Sequence, residues 1–172
     1  MKRTELVKGK EIFGAIQALD TGSKKAVVEA LGIAEHIERA SKAFYEKEAE
    51  KTNGSELETF FSFLVKEETM HLEKILELKK MLEIGDAEKI IFQHNTPPPA
   101  HLMDAGKDEI TAMLYALWRE KKAQEFYAEA AEKTSGAVKE FFSELAEFEG
   151  GHVALFEKYI EDTETDVDLM LG

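Results

Sequence analysis

The chain has 172 residues, 44% of them hydrophobic and 33% charged, with a formal net charge of -13 and no cysteine. That charge works against nucleic acid and against an anionic membrane surface, both of which call for clustered Lys and Arg. The missing cysteines exclude disulfides, thiolate metal sites, iron–sulfur clusters and cysteine nucleophiles, a composition that fits a reducing cytoplasm.

Residues 1–22 form an N-terminal segment that is charged but has no apolar run of roughly 7–15 residues, so no signal peptide is expected. Within it, residues 4–19 (TELVKGKEIFGAIQAL) are weakly amphipathic and suggest a short extra helix. Four long helices follow, at 23–52, 55–84, 107–134 and 137–162, with Ser23 and Ser55 as the expected N-caps of the first two. Short turns at Gly54 and Gly136 join the first pair and the last pair, which makes two antiparallel hairpins, 23–84 and 107–162. Between them, residues 85–106 carry all three prolines, in NTPPPAH. A link of that kind serves as the crossover of a four-helix bundle, or carries one half of the bundle to a partner in a helix-swapped dimer. Residues 163–172 form an acidic tail expected to be mobile. No uninterrupted apolar stretch approaches the ~20 residues of a membrane span. The expected fold is one all-α domain over 1–172, a four-helix bundle with its long crossover between the second and third long helices.

The chain repeats itself. FYEKEAEKTNG (44–54) matches FYAEAAEKTSG (126–136) at an offset of 82, and FFSFLVKEETMH (60–71) matches FFSELAEFEGGH (141–152) at an offset of 81. Two similar hairpins therefore build the bundle.

The inward seams, read at alternating steps of three and four, carry the chemistry. The second long helix offers Leu57, Phe61, Leu64, Glu68, His71, Ile75, Leu78 and Leu82; the fourth offers Val138, Phe142, Leu145, Glu149, His152, Phe156 and Tyr159. The first offers Val27, Leu31, Ala34, Glu38, Ser41 and Tyr45; the third offers Met113, Ala116, Glu120, Ala123, Tyr127 and Ala130. Each seam is apolar or small except at its centre, where four glutamates and two histidines stand at equivalent positions of the two repeats. Four bare carboxylates in a bundle core would be prohibitively unfavourable unless neutralised. Two divalent cations cancel four glutamate charges, and neutral imidazoles complete the coordination. Positions i and i+3 share a helix face, so a Glu-x-x-His pair reaches one metal pair. One Glu from each of two helices with a Glu-x-x-His from each of the others is the ligand arrangement of ferritin-like di-iron and di-manganese bundles. The donor set suits iron, manganese and zinc alike. A single Glu-x-x-His is weak in so glutamate-rich a chain; the weight lies in both pairs falling in the seam, at one repeat position, opposite Glu38 and Glu120.

IERASKAFY and WREKKAQEFY, each with Glu seven residues before Tyr, together with EETMH and EGGH, resemble the rubrerythrin branch of the ferritin-like superfamily over most of residues 27–160. The resemblance implies a ferritin-like fold and makes Glu38, Glu68, His71, Glu120, Glu149 and His152 ligands of two iron ions. It sets Tyr45 and Tyr127 near the cluster, hydrogen-bonded to a ligand carboxylate. Rubrerythrins typically end in a rubredoxin-like domain with a cysteine-held iron, and this chain has no cysteine, so electrons are expected from an external donor protein, a rubredoxin-like one being a candidate. They also typically carry a further glutamate where this chain has Ala123, which weighs against peroxide-linked iron movement. The four-Glu, two-His set is equally similar to the di-iron site of bacterioferritins, although residues 163–172 are short for the fifth helix of cage-forming ferritins.

The expected function is that of a non-haem di-iron oxidoreductase reducing hydrogen peroxide or oxygen, in a homodimer or higher homo-oligomer. A ferroxidase or iron-handling role and a purely structural metal site are the alternatives. His36, off the seam, and His94 and His101, in the crossover, are not expected to be ligands, and Trp118 and the phenylalanines are expected in the core. Glu67, beside a ligand, could orient a histidine, though a solvated helix face accounts for it as well, and Phe148 replaces it in the second repeat. Gly150 and Gly151 lie between two expected ligands, where adjacent glycines cost roughly 1 kcal/mol each against alanine. Helix continuity is nevertheless expected, with the missing side chains admitting a small oxidant or a neighbouring backbone.

Overall fold

A computed structural model describes residues 11–82 and 109–171. Among the described residues there are five helices and no strand: α1 (residues 11–17), α2 (Thr21–Lys51), α3 (Glu56–Met81), α4 (Glu109–Glu132) and α5 (Gly136–Leu171). The short helix anticipated within 4–19 is present in its described part, and the proline-rich crossover with His94 and His101 lies outside the described residues.

Helix ends follow local chemistry. α2 is capped by Asp20, not Ser23: the Asp20 carboxylate accepts the Gly22 and Ser23 amide N–H groups, each at 3.0 Å, and the Ser23 hydroxyl as well. A carboxylate beside the positive helix start outcompetes a hydroxyl three residues on. Ser55 does hold the N-cap position of α3, but its hydroxyl donates back to the Thr52 carbonyl at 2.7 Å and caps nothing. Glu58 instead accepts the Gly54 N–H at 2.6 Å. Both hairpin turns pass through a left-handed glycine, Gly54 at φ 84° and Gly136 at φ 57°, a conformation other residues rarely adopt. The end of the last helix is a correction: α5 does not stop at 162 but continues to Leu171. Residues 163–171 contain neither Gly nor Pro to stop a helix.

Backbones approach most closely within the hairpins, α2 with α3 and α4 with α5, and the hairpins meet through α2 and α4. α3 and α5 join chiefly through side chains, such as Phe60 against Phe156 at 5.2 Å between ring centroids. The seams read from the sequence are buried throughout, except that Leu82 and Tyr159 at their ends are half-buried. The apolar core has two parts. One gathers Ile16 of α1 with Leu31, Leu78, Phe142 and Leu145; the other gathers Tyr45, Phe61, Leu64, Met113 and Phe156. Between them lies the layer of glutamates and histidines.

The expectation that Trp118 and all the phenylalanines are core fails. Trp118 is half-buried and stacks on Tyr115, while Phe63 and Phe148 are exposed. They fall outside the three-and-four stripe that faces inward.

The α5 helix runs unbroken through Gly150 and Gly151. A Cβ on Gly150 would come within 2.6 Å of Gln124 Nε2 on α4, whereas Gly151 has nothing within 4 Å. The neighbour at Gly150 is thus a side-chain amide and not the backbone anticipated. Gly151→Ala should raise stability by about 1 kcal/mol, and Gly150→Ala by less because Gln124 must move. Thermal denaturation of the two variants checks the order.

Candidate metal centre

The layer is built from one turn of each long helix. Glu38 comes from α2, Glu68 and His71 from α3, Glu120 from α4, and Glu149 and His152 from α5, each no more than 3% exposed. The i, i+3 spacing puts glutamate and histidine of α3, and of α5, on one face. Their donor atoms fall into two overlapping groups, Glu38–Glu68–His71–Glu149 and Glu68–Glu120–Glu149–His152, with ligand atoms in each group within 4.8 Å of one another. Glu68 and Glu149 belong to both groups, so the two positions share a pair of carboxylates.

Both histidines present Nδ1. His71 Nδ1 lies 3.4 Å from Glu38, 3.5 Å from Glu149 and 3.8 Å from Glu68. His152 Nδ1 lies 3.1 Å from Glu120 and 3.4 Å from both Glu68 and Glu149. Metal–ligand bonds of about 2.1 Å separate adjacent ligands by about 3.0 Å in an octahedron and about 3.4 Å in a tetrahedron. Most of the contacts have that spacing. Glu38 Oε2, Glu68 Oε1, Glu149 Oε1 and both ring nitrogens of His71 are buried without a hydrogen-bond partner. Buried polar atoms aimed at a common point without bonding one another fit cation ligation.

Electrostatics agrees. Burial, then the neighbouring Glu68, pushes Glu38 well above the usual carboxylate range; burial, then Glu149, does the same to Glu120. For Glu68 and Glu149 burial acts upward but is outweighed, by Glu38 and both histidines for Glu68 and by Glu120 and both histidines for Glu149, so both lie below the usual range. Burial alone would lower His71, yet Glu149, Glu38 and Glu68 push it up to about 11. His152 is likewise pushed up to about 12, burial being outweighed by Glu120, Glu149 and Glu68. Without a cation the cluster therefore balances two imidazolium groups against two carboxylates, with two carboxyls driven toward protonation.

Tyr45 and Tyr127 cross between the hairpins. Tyr45 of α2 donates its hydroxyl to Glu120 of α4, and Tyr127 of α4 donates to Glu38 of α2. Burial first, then the facing carboxylate, holds both phenols well above their ordinary pKa, so they remain donors. Each fixes the glutamate that belongs to one group only. Loss of such an outer partner typically costs 10–100-fold in metal affinity. Tyr45→Phe should therefore weaken a cation at the Glu120 position by about that factor, and Tyr127→Phe one at the Glu38 position. Competition against a chelator of known affinity measures both.

The other singled-out residues lie apart. His36 is exposed on α2 and Glu67 is half-buried on α3, neither in the cluster. Ala123 is buried in the apolar core, so no carboxylate enters from that position. Phe148, which the seam reading passed over, lies against His71 with ring centroids 5.0 Å apart. Its signal was available: it stands one helical turn before His152, where the first repeat has Glu67.

No helix among the described residues is long and apolar enough to cross a membrane. No curated protein and no solved structure matches the chain. Residues 111–171, which span α5 and most of α4, match the rubrerythrin family model. The matched stretch supplies Glu120, Tyr127, Glu149 and His152, and the repeat supplies their counterparts in the first hairpin; over these residues the chain is similar to the rubrerythrin family.

Proposed function

We propose that this is a di-iron carboxylate oxidoreductase that reduces hydrogen peroxide or oxygen with electrons from an external donor protein. The observation that carries the reading is the pair of four-ligand groups sharing Glu68 and Glu149, which suits two adjacent cations and a two-electron reaction. Iron bound there would supply the electrons by passing from ferrous to ferric. Glu38, Glu68, Glu120, Glu149, His71 and His152 would hold it; manganese or zinc would fit the donors but zinc would not do redox chemistry.

The chain's own residues would set the conditions. Reduction of peroxide to two waters consumes two electrons and two protons. The phenols of Tyr45 and Tyr127, each bonded to a carboxylate, would steady Glu120 and Glu38 and lie where a proton could be relayed. The two apolar core clusters on either side keep bulk water from the layer. A homo-oligomer, cytoplasmic location and a role under oxidative stress complete the proposal.

Ferroxidase activity is the second reading, favoured by Ala123, which leaves the four-Glu, two-His set without an additional carboxylate. Anaerobic loading with ferrous iron, followed by stopped-flow mixing with peroxide and with oxygen, separates the two. Oxidation much faster with peroxide supports the oxidoreductase. Preference for oxygen with many iron ions taken up per chain supports iron handling.

A further inference from the structure

The internal repeat gives each residue on one side of the centre a counterpart on the other, and differences between counterparts make the two positions unequal. His71 and His152 are counterparts whose rings lie 5.7 Å apart at 27°. Four residues before His152 stands Phe148; four residues before His71 stands its counterpart, Glu67. Each therefore rises one helical turn from a histidine.

Phe148 reaches across from α5 to lie 5.0 Å from His71, and Lys74 Nζ sits 4.7 Å from the centre of the Phe148 ring. Phe148 is 39% exposed while His71 behind it is 1% exposed, so the phenyl ring is an outer wall over that histidine. With the Lys74 ammonium already on its face, the ring offers an incoming cation bulk and no ligand oxygen, and the ammonium opposes it by like charge. The other side has the opposite character. Glu67 is a half-buried carboxylate, Gly151 is exposed with nothing within 4 Å of where its Cβ would stand, and the His152 side chain keeps 4% exposure. By the repeat, Glu67 stands to His152 as Phe148 stands to His71, and a carboxylate at that place is permissive to a small cation where a phenyl ring is not.

We propose that Phe148, held under Lys74, is a gate that closes the His71 position, and that cations and small polar oxidants enter and leave on the Glu67–Gly151 side beside His152. The inference rests on the metal-centre reading, and the test separates the two.

The full chain is loaded anaerobically with cobalt(II), and release to excess EDTA is followed by the visible absorption of the bound ion. Release should be biphasic, the slow phase belonging to the His71 position. Phe148→Ala should accelerate the slow phase by about tenfold or more, with the fast phase unchanged. Phe148→Leu, which keeps apolar bulk, should retain most of the slow phase, and Glu67→Phe should slow the fast one. Circular dichroism checks that helix content is kept; Phe148→Leu and Glu67→Phe decide the matter should the alanine variant not fold. Two bound cobalt ions with release indifferent to these substitutions overturn the gate alone. Failure of the unaltered chain to bind cobalt overturns the metal centre and the gate together.

Discussion

Glu149→Ala is expected to abolish cation binding at both positions, whereas Glu120→Ala should leave one position filled. Glu149 contributes to both ligand groups, and so does Glu68; Glu38 and Glu120 contribute to one each. Removing a shared carboxylate takes an anion from both positions and leaves His71 and His152 facing fewer charges. The loss should exceed the roughly 100-fold that an outer partner such as a tyrosine contributes. Titration with cobalt(II) or ferrous iron, read as bound ions per chain, gives the result directly. Two ions retained by the Glu149→Ala variant would refute the shared-ligand arrangement. The unshared glutamates provide the internal control, because the loss of either also removes one buried carboxyl group from the layer.

Cation binding should also depend steeply on pH. Without a cation, His71 and His152 hold protons across the neutral range, with pKa values raised to about 11 and about 12, and Glu38 and Glu120 are shifted toward the protonated form. Ligation needs neutral imidazole and ionised carboxylate at every position. Filling both positions must therefore displace protons, so binding strengthens as pH rises and weakens as it falls. With two imidazolium and two carboxyl protons at stake, the overall constant for two cations should change by up to about four powers of ten per pH unit. Proton release on metal addition, followed with an indicator in weak buffer, measures the number. Release of no protons would contradict the charge balance described for the cluster.

The opposite sign holds for fold stability without metal. The raised histidine values mean that imidazolium stabilises the folded chain fully below the ordinary histidine pKa, and that this support is lost as pH climbs through about 11 to 12. At high pH, then, cations and protons exchange roles: metal becomes the only counter-charge for the four glutamates.

The seam positions were legible because a helix repeats every 3.6 residues, so burial of Leu64, Glu68, His71 and Ile75 along one stripe follows from spacing alone. The repeat carried the second half, placing Glu149 and His152 opposite. The buried polar layer was visible for the same reason: charged residues stand where only apolar ones should. Caps were read less well. Ser23 and Asp20 are both good N-cap residues, and the choice depends on which one the N–H groups of the first turn face. The end of the last helix was read short because acidity suggests solvation, whereas helix propagation along α5 beyond residue 162 meets no Gly or Pro before Gly172.

By itself the sequence determined the two hairpins, the polar layer in an apolar seam, and the six side chains of that layer, since each is a matter of period and residue type along one chain. Only the tertiary structure decided which glutamates are shared, that Tyr45 serves Glu120 and Tyr127 serves Glu38, that Gln124 lies over Gly150, and that Phe148 covers His71. These are relations between helices. They depend on the rotation and offset of one helix against another, which hydrophobic periodicity leaves free and which packing fixes. The glycine pair in EGGH shows the division well: its place in an unbroken helix followed from the stripe, but its two different surroundings followed from α4 alone.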